Sequence, residues 1–265
     1  MYKTNYHRAS SVEEAASKMA GADDGKLLAG GQTLIPTMKQ RLAAPSDVVD
    51  LRHIADLKGI SVAGNQVTIG AGTTHADVAN SAEIRSVCPA LADLASHIGD
   101  PHVRNMGTIG GSIANNDPAA DYPAAMVALD ATIHTNSREI SASDFFVGMF
   151  ETALNDGEII TAVTFDAPDK AAYQKFPNPA SRYAMAGVFV AQGSAGVRVG
   201  VTGAGSDGVF RAADMEAALG GNFAADALDS VNVDPADMLS DLHGSAEYRA
   251  NLVKVMARRA VAAAS

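Results

Sequence analysis

Apolar and polar positions alternate in short blocks through the first two thirds of the chain. Residues 10–14 followed by Ala15, Ala16 and Met19 have helical periodicity, and Ser10 and Glu13 stand at capping-box spacing. Gly21 to Gly25 ends that helix, and residues 26–29 read as a short apolar strand. Residues 48–51 read as a second strand. Two further runs, 60–62 and 66–69, are joined at Gly64-Asn65, a hairpin signal. A helix is expected from about His75, and residues 90–98 place Leu91, Leu94, Ala95 and Ile98 on one helical face. Residues 122–129 form an apolar helix and 131–134 a strand. From residue 184 the pattern gives strands at 187–191 and 197–201, then helices at 211–219 and 247–263, with a domain boundary near residue 170.

Two glycine-rich segments interrupt these blocks. The first is Ala29-Gly30-Gly31-Gln32-Thr33-Leu34-Ile35-Pro36, at the end of a strand. The second runs from Gly107 through Thr108, Gly110, Gly111, Ser112, Asn115, Asn116 and Asp117 to Asp121, and reads as a polar loop between helices. Glycine lets backbone N–H groups approach a ligand that a β-carbon would block, and hydroxyl and carboxamide side chains beside it suit phosphate oxygens. A helix starting at Leu34 would turn its positive end to the same anion. For the first segment alone a plain strand-to-helix turn is the better reading; the second makes a dinucleotide held from two sides the better one. Asp121, at the start of the next helix, could accept hydrogen bonds from sugar hydroxyls or serve as an ordinary helix N-terminal charge.

These two segments closely resemble the FAD-binding medium subunits of the molybdenum hydroxylases, the family of the aerobic carbon monoxide dehydrogenase medium subunit and the xanthine dehydrogenase flavin subunit. Residues 175–184 and 198–204 resemble its C-terminal part, so the likeness spans nearly the whole chain. It implies an α+β fold: a vanillyl-alcohol-oxidase-type FAD-binding domain over 1–168, with subdomains of about 1–55 and 56–168, then a smaller α+β domain over 169–265. It implies FAD as cofactor. Ala29, Gly30, Gly31, Gln32, Thr33 and Leu34, with Thr108, Gly110, Gly111 and Ser112, would hold the pyrophosphate. Asn115 and Asp121 would contact the ribityl–ribose region, and Lys175 and Tyr183 would lie near the isoalloxazine. Many relatives carry His and Ser where this chain has Gln32 and Thr33; both replacements keep hydrogen-bonding capacity.

The resemblance also implies partners: a large subunit with the molybdenum cofactor and a small subunit with two 2Fe–2S clusters, in a dimer of such three-chain units. This chain would pass electrons from the clusters through FAD to an acceptor, with no catalytic acid or base of its own. Its single cysteine, Cys88, cannot ligate a cluster alone. Other readings are a stand-alone flavin oxidoreductase of the same fold and a scaffold without flavin; intact glycine segments argue against the second.

Composition narrows the remaining options. The 265 residues are 47% apolar and 19% charged, which marks a globular chain. A net charge of −10 with no basic run speaks against nucleic acid and allows membrane contact at most peripherally. The N-terminus lacks an apolar signal core and no stretch suits a bilayer span, so a cytoplasmic location is expected. Gly203, Gly205 and Gly208 spell G-x-G-x-x-G, but the helix expected at Arg211 starts too late for a nicotinamide site, and a strand-end turn is the better reading. His75, His97 and His102 with Asp77, Asp93 and Asp100 have no metal-ligand spacing, and no metal is expected. His102 and Arg104, just before the second glycine segment, are candidates to line the flavin pocket or to contact a partner. Cys88, before Pro89, reads as a small buried hydrophobe or, at a helix start, as a thiol of lowered pKa.

Overall fold

The computed structural model describes residues 1–264. The chain opens with β1 (Asn5–Arg8), α1 (Val12–Ala20), β2 (Gly25–Leu28), α2 (Leu34–Lys39) and β3 (Asp47–Asp50). The three strands form a parallel sheet in the order β1-β3-β2. The cap of α1 lies one residue later than the spacing suggests. Ser11, not Ser10, has the extended backbone of an N-cap, and its Oγ accepts from the Glu14 amide at 3.1 Å. Glu14 in turn accepts from the amide and hydroxyl of Ser10. The first glycine segment is the β2–α2 connection, at the carboxyl end of a parallel strand, where α/β sheets present ligands.

Next come β4 (Ile60–Ala63), β5 (Gln66–Gly70), α3 (His75–Asn80), α4 (Ala82–Val87), α5 (Pro89–Ser96), α6 (Pro101–Met106), α7 (Ile109–Asn115) and α8 (Tyr122–Ala128). β6 (Thr132–Thr135), β7 (Glu139–Ser141), α9 (Ala142–Phe145), β8 (Phe146–Gly148), β9 (Glu151–Thr152) and β10 (Ile160–Asp166) follow. Five strands make an antiparallel sheet in the order β4-β5-β10-β6-β7, and the β4–β5 hairpin turns at Gly64 (φ 63°). α5, α7 and α8 cover this sheet through Leu91, Leu94, Ile109, Ile113 and Met126, all fully buried.

The second glycine segment is not a loop. Thr108 caps α7, its Oγ1 accepting from the Gly111 amide at 3.1 Å, so Gly110 and Gly111 lie in the first turn of a helix. The helix stops at Asn116, which adopts the left-handed conformation (φ 41°). Hydroxyl capping by Thr108 outweighs the low helix propensity of paired glycines here.

The last third builds an antiparallel meander, β11 (Lys170–Pro177), β12 (Ala184–Gly193), β13 (Gly196–Thr202) and β14 (Phe210–Arg211). α10 (Ala213–Gly221) and α11 (Ala246–Ala263) cover one face. The other face joins the preceding core through Tyr173 and Phe189. α8 crosses this face closely: a β-carbon on Gly200 of β13 would meet the Ala124 carbonyl oxygen at 2.1 Å. The G-x-G-x-x-G stretch is the β13–β14 connection, with Gly203 (φ 81°) and Gly208 (φ 100°) in the positive region, so the turn reading holds. Among the described residues, no helix is long and apolar enough to cross a membrane.

Candidate functional site

The two glycine segments meet backbone to backbone. A β-carbon on Gly30 would lie 2.1 Å from the Met106 carbonyl oxygen and 2.6 Å from Gly107 Cα. Gly31 has φ +69°, a conformation that lets the chain reverse from β2 into α2. Among the described residues, the amides of Gly31, Gln32, Thr33 and Leu34 have no acceptor within the chain, while the Gln32 carboxamide reaches back to the Gly30 carbonyl at 3.2 Å. Four unused donors on one short turn are a concave electropositive surface of the kind that binds anions.

A cleft of about 370 Å³ runs between this turn and α7. It gathers Ala29, Gly30, Gly31, Gln32, Thr33, Leu34, Thr108, Gly111, Ser112, Asn115, Asp121 and Tyr183. Lys175 lines an adjoining compartment of about 340 Å³ that shares Asp121 and Tyr183 with it. On the other side, Ala29, Thr108 and Gly111, together with Gly110, border an apolar cavity of about 290 Å³. Gly110 sits differently from the rest. Its amide donates to the Ala71 carbonyl at 2.9 Å, and a β-carbon would meet Ala71 Cβ at 2.6 Å. Its lack of a side chain is demanded by packing. The Ile109 amide is likewise engaged, with the Thr73 carbonyl at 3.1 Å. At Gly111 the nearest atoms to an added β-carbon are Thr108 Oγ1 at 3.0 Å and Ala29 Cβ at 3.6 Å, so that position faces the first segment across the cleft.

Asp121 carries the charge chemistry of the wall. It is 4% exposed, and its Oδ1 accepts from Tyr173 Oη at 2.5 Å and lies 2.9 Å from Lys175 Nζ. Burial pushes its carboxyl up from the usual range, against the opposing pull of the Lys175 ammonium and the Tyr173 hydroxyl. Tyr183 is 50% exposed on the cleft rim; partial burial and the nearby Asp117 and Asp121 carboxylates raise its phenol pKa.

His75 belongs to this wall too, although its sequence context offered only a loose histidine–aspartate grouping. It is buried, lines the cleft, and its Nδ1 has no partner. Burial, with a smaller contribution from Arg104, lowers its pKa to about 4. Arg104 does not line the cleft; its guanidinium donates to the carbonyls of Ile98 and Gly99. His102 points to solvent with a 99% exposed side chain. His97 makes the helical pair expected with Asp93, Nδ1 to Oδ2 at 3.7 Å. Cys88 is fully buried, and burial pushes its thiol up to about 12, so the buried-hydrophobe reading stands and the reactive one falls.

An α+β chain with a cleft walled by unused turn amides, hydroxyls and a buried acid is a dinucleotide-binding protein in class. A family model described as "FAD binding domain in molybdopterin dehydrogenase" matches residues 2–167, and the chain belongs to that family. It is 36% identical to the nicotine 6-hydroxylase medium subunit of Paenarthrobacter nicotinovorans over 97% of this chain and 95% of that one. It is also 36% identical to the carbon monoxide dehydrogenase medium chain of Afipia carboxidovorans, with the same coverage. A solved structure of reconstituted CO dehydrogenase from Oligotropha carboxidovorans superposes with a TM-score of 0.90 at 35% identity, over 98% of this chain and 96% of that one. The resemblance read from the glycine segments therefore holds, along with FAD as the family's cofactor and an oxidoreductase subunit as the type of protein.

FAD fits the residues present: the turn amides lack acceptors, and the cleft is lined by residues whose hydroxyl and carboxylate groups match a pyrophosphate and a polyol. Two outcomes are expected. Gly111→Val fills the cleft where little else is displaced, and abolishes FAD binding with the far-ultraviolet circular dichroism unchanged. Gly110→Ala collides with Ala71 and lowers the urea midpoint by the equivalent of about 1–3 kcal/mol. For pH, the folded His75 pKa of about 4 lies below the ordinary 6.5. The unfolded chain therefore binds the extra proton between those values, and stability falls as pH drops from 6.5 towards 4. Urea titrations across that window should show the slope in the wild-type chain and a shallower one in His75→Asn.

Proposed function

We propose that this chain is the FAD-carrying electron-transfer subunit of a heteromeric molybdenum-containing hydroxylase. It takes electrons from the 2Fe–2S clusters of a small subunit and passes them to an external acceptor. A large subunit holds the molybdenum cofactor and oxidises the organic substrate. One observation carries the reading: both glycine segments wall a single cleft, in a chain that aligns end to end with relatives named as medium subunits. Cys88, buried and alone, supports assigning the clusters to a partner.

The amides of Gly31, Gln32, Thr33 and Leu34, on the turn opened by Ala29 and Gly30, with the side chains of Thr33 and Ser112, hold the pyrophosphate. Gly111 leaves room for it. Thr108 caps α7 and keeps that first turn in place. Asn115 and Asp121 receive the sugar-type hydroxyls, and Tyr183 and Lys175 flank the ring system. Bound there, FAD supplies the ability to accept and release electrons. The chain orients it, shields it from water and sets the charge around it through Asp121 and Lys175. The FAD-binding domain ends at about residue 168 and a C-terminal domain follows. We further propose a cytoplasmic complex of two three-chain units.

Relatives named for nicotine and for carbon monoxide are equally identical to this chain, which is the behaviour of a subunit that does not choose the substrate. The rival reading is a stand-alone flavin oxidoreductase. The isolated chain, loaded with FAD under anaerobic conditions, should keep its flavin absorbance when offered a panel of purines, aldehydes, N-heterocycles and carbon monoxide. The chain co-purified with its two partners should bleach with the substrate of the complex. Direct bleaching of the isolated chain by an organic substrate would establish the rival.

A further inference from the structure

Asp121 is held by a part of the chain far from the glycine segments. Tyr173 and Lys175 stand two residues apart on β11, so both side chains leave the same face of the sheet. That face meets the start of α8. Tyr173 Oη donates to Asp121 Oδ1 at 2.5 Å; Lys175 Nζ reaches both Asp121 oxygens, at 2.9 and 3.1 Å, and the His97 carbonyl at 3.3 Å. The next strand but one, β13, holds the residues just before Asp121. Thr202 Oγ1 donates to the carbonyls of Pro118 at 3.0 Å and Ala120 at 2.6 Å, and the Gly203 amide donates to Pro118 at 2.8 Å.

The sheet makes room for this arrangement at one residue. Gly187 on β12 is the cross-strand partner of Lys175 and of Thr202, between the two groups that hold the segment. A β-carbon on Gly187 would lie 2.3 Å from Tyr173 Oη. The phenol of Tyr173 thus leans along the sheet into the space that Gly187 leaves open, and its hydroxyl emerges against Asp121. Lys175 alone would leave the carboxylate loosely oriented, because an ammonium on a flexible stem fixes charge but not direction. A rigid phenol gives the carboxylate a single orientation.

We propose that Tyr173, seated over Gly187, is a positioning residue for the cofactor, fixing the Asp121 carboxylate in the orientation that receives the hydroxyls of the FAD sugar chain. The inference rests on the FAD assignment above. It makes the C-terminal sheet part of the binding site although Tyr173 itself lies behind the wall. It also accounts for a glycine at position 187, in the middle of a buried strand where a β-branched residue would otherwise be favoured.

The test uses the purified full-length chain, with FAD added and binding followed by flavin fluorescence and visible absorption. Tyr173→Phe should raise the Kd for FAD about tenfold and shift the absorption bands of the bound flavin. Gly187→Ala keeps the phenol but drives its hydroxyl off Asp121, and should do the same. In the double variant the hydroxyl is gone and the added methyl keeps only the 3.0 Å contacts with the ring Cζ and Thr202 Cγ2, so Gly187→Ala should cause a clearly smaller loss than it does in the wild-type chain. Should Tyr173→Phe not fold, Gly187→Ala alone carries the comparison. If the Tyr173→Phe chain melts earlier yet binds FAD with wild-type Kd and spectrum, Tyr173 is a structural residue and the inference is overturned. Additive losses in the double variant would overturn it too. A wild-type chain that takes up no FAD would instead overturn the assignment on which it rests.

Discussion

Everything at the site depends on how closely two backbones approach. Gly30 lies against the Met106 carbonyl and Gly107, and Gly110 against Ala71. Without side chains at these points, the β2–α2 turn, the start of α7 and the β5–α3 connection lock together, and no β-carbon could be added at Gly30 or Gly110 without moving backbone. This contact brings a turn with four unused amides within reach of the wall that carries Ser112, Asn115 and Asp121. The cost is borne by packing elsewhere: the buried side chains of α5, α7 and α8 hold α7 against the five-stranded sheet, and Thr108 caps its first turn.

The opposite wall is organised by the C-terminal meander. A buried carboxylate next to a single ammonium contributes little net stability, but breaking such a pair leaves an uncompensated charge, at about 3–5 kcal/mol. Asp121 avoids that state with two protein donors on its carboxylate and a tightly held preceding segment. The site is therefore a joint product of the parallel sheet, the helical layer and the meander. This is consistent with the chain's similarity to its relatives along nearly the full length rather than over the family-matched residues alone.

Much of this was legible in the sequence, for physical reasons that differ by residue. The turn at Gly31 and the partition of strands and helices follow from glycine placement and apolar periodicity, which act locally. Local signals fail where a distant contact decides. The Thr108–Asn115 stretch reads as a polar loop because its glycines disfavour helix, yet a threonine cap and burial of Ile109 and Ile113 make it one. Gly110 reads as a ligand contact, whereas Ala71, far away in sequence, requires it. The cap of α1 slips by one because Ser10 and Ser11 are both competent, and only the backbone of Ser11 is extended. His75 and Tyr173 carried no motif. The one available hint for Tyr173 was its two-residue spacing from Lys175, in a segment not read as a strand.

The central claim is that the cleft between the β2–α2 turn and α7 holds FAD. The most direct measurement is the visible absorption spectrum of the purified chain, with the cofactor released by denaturation identified and any colourless fraction titrated with FAD. The account predicts flavin bands and released FAD, or saturable uptake of one FAD per chain. A colourless protein that takes up no FAD at any concentration would contradict it.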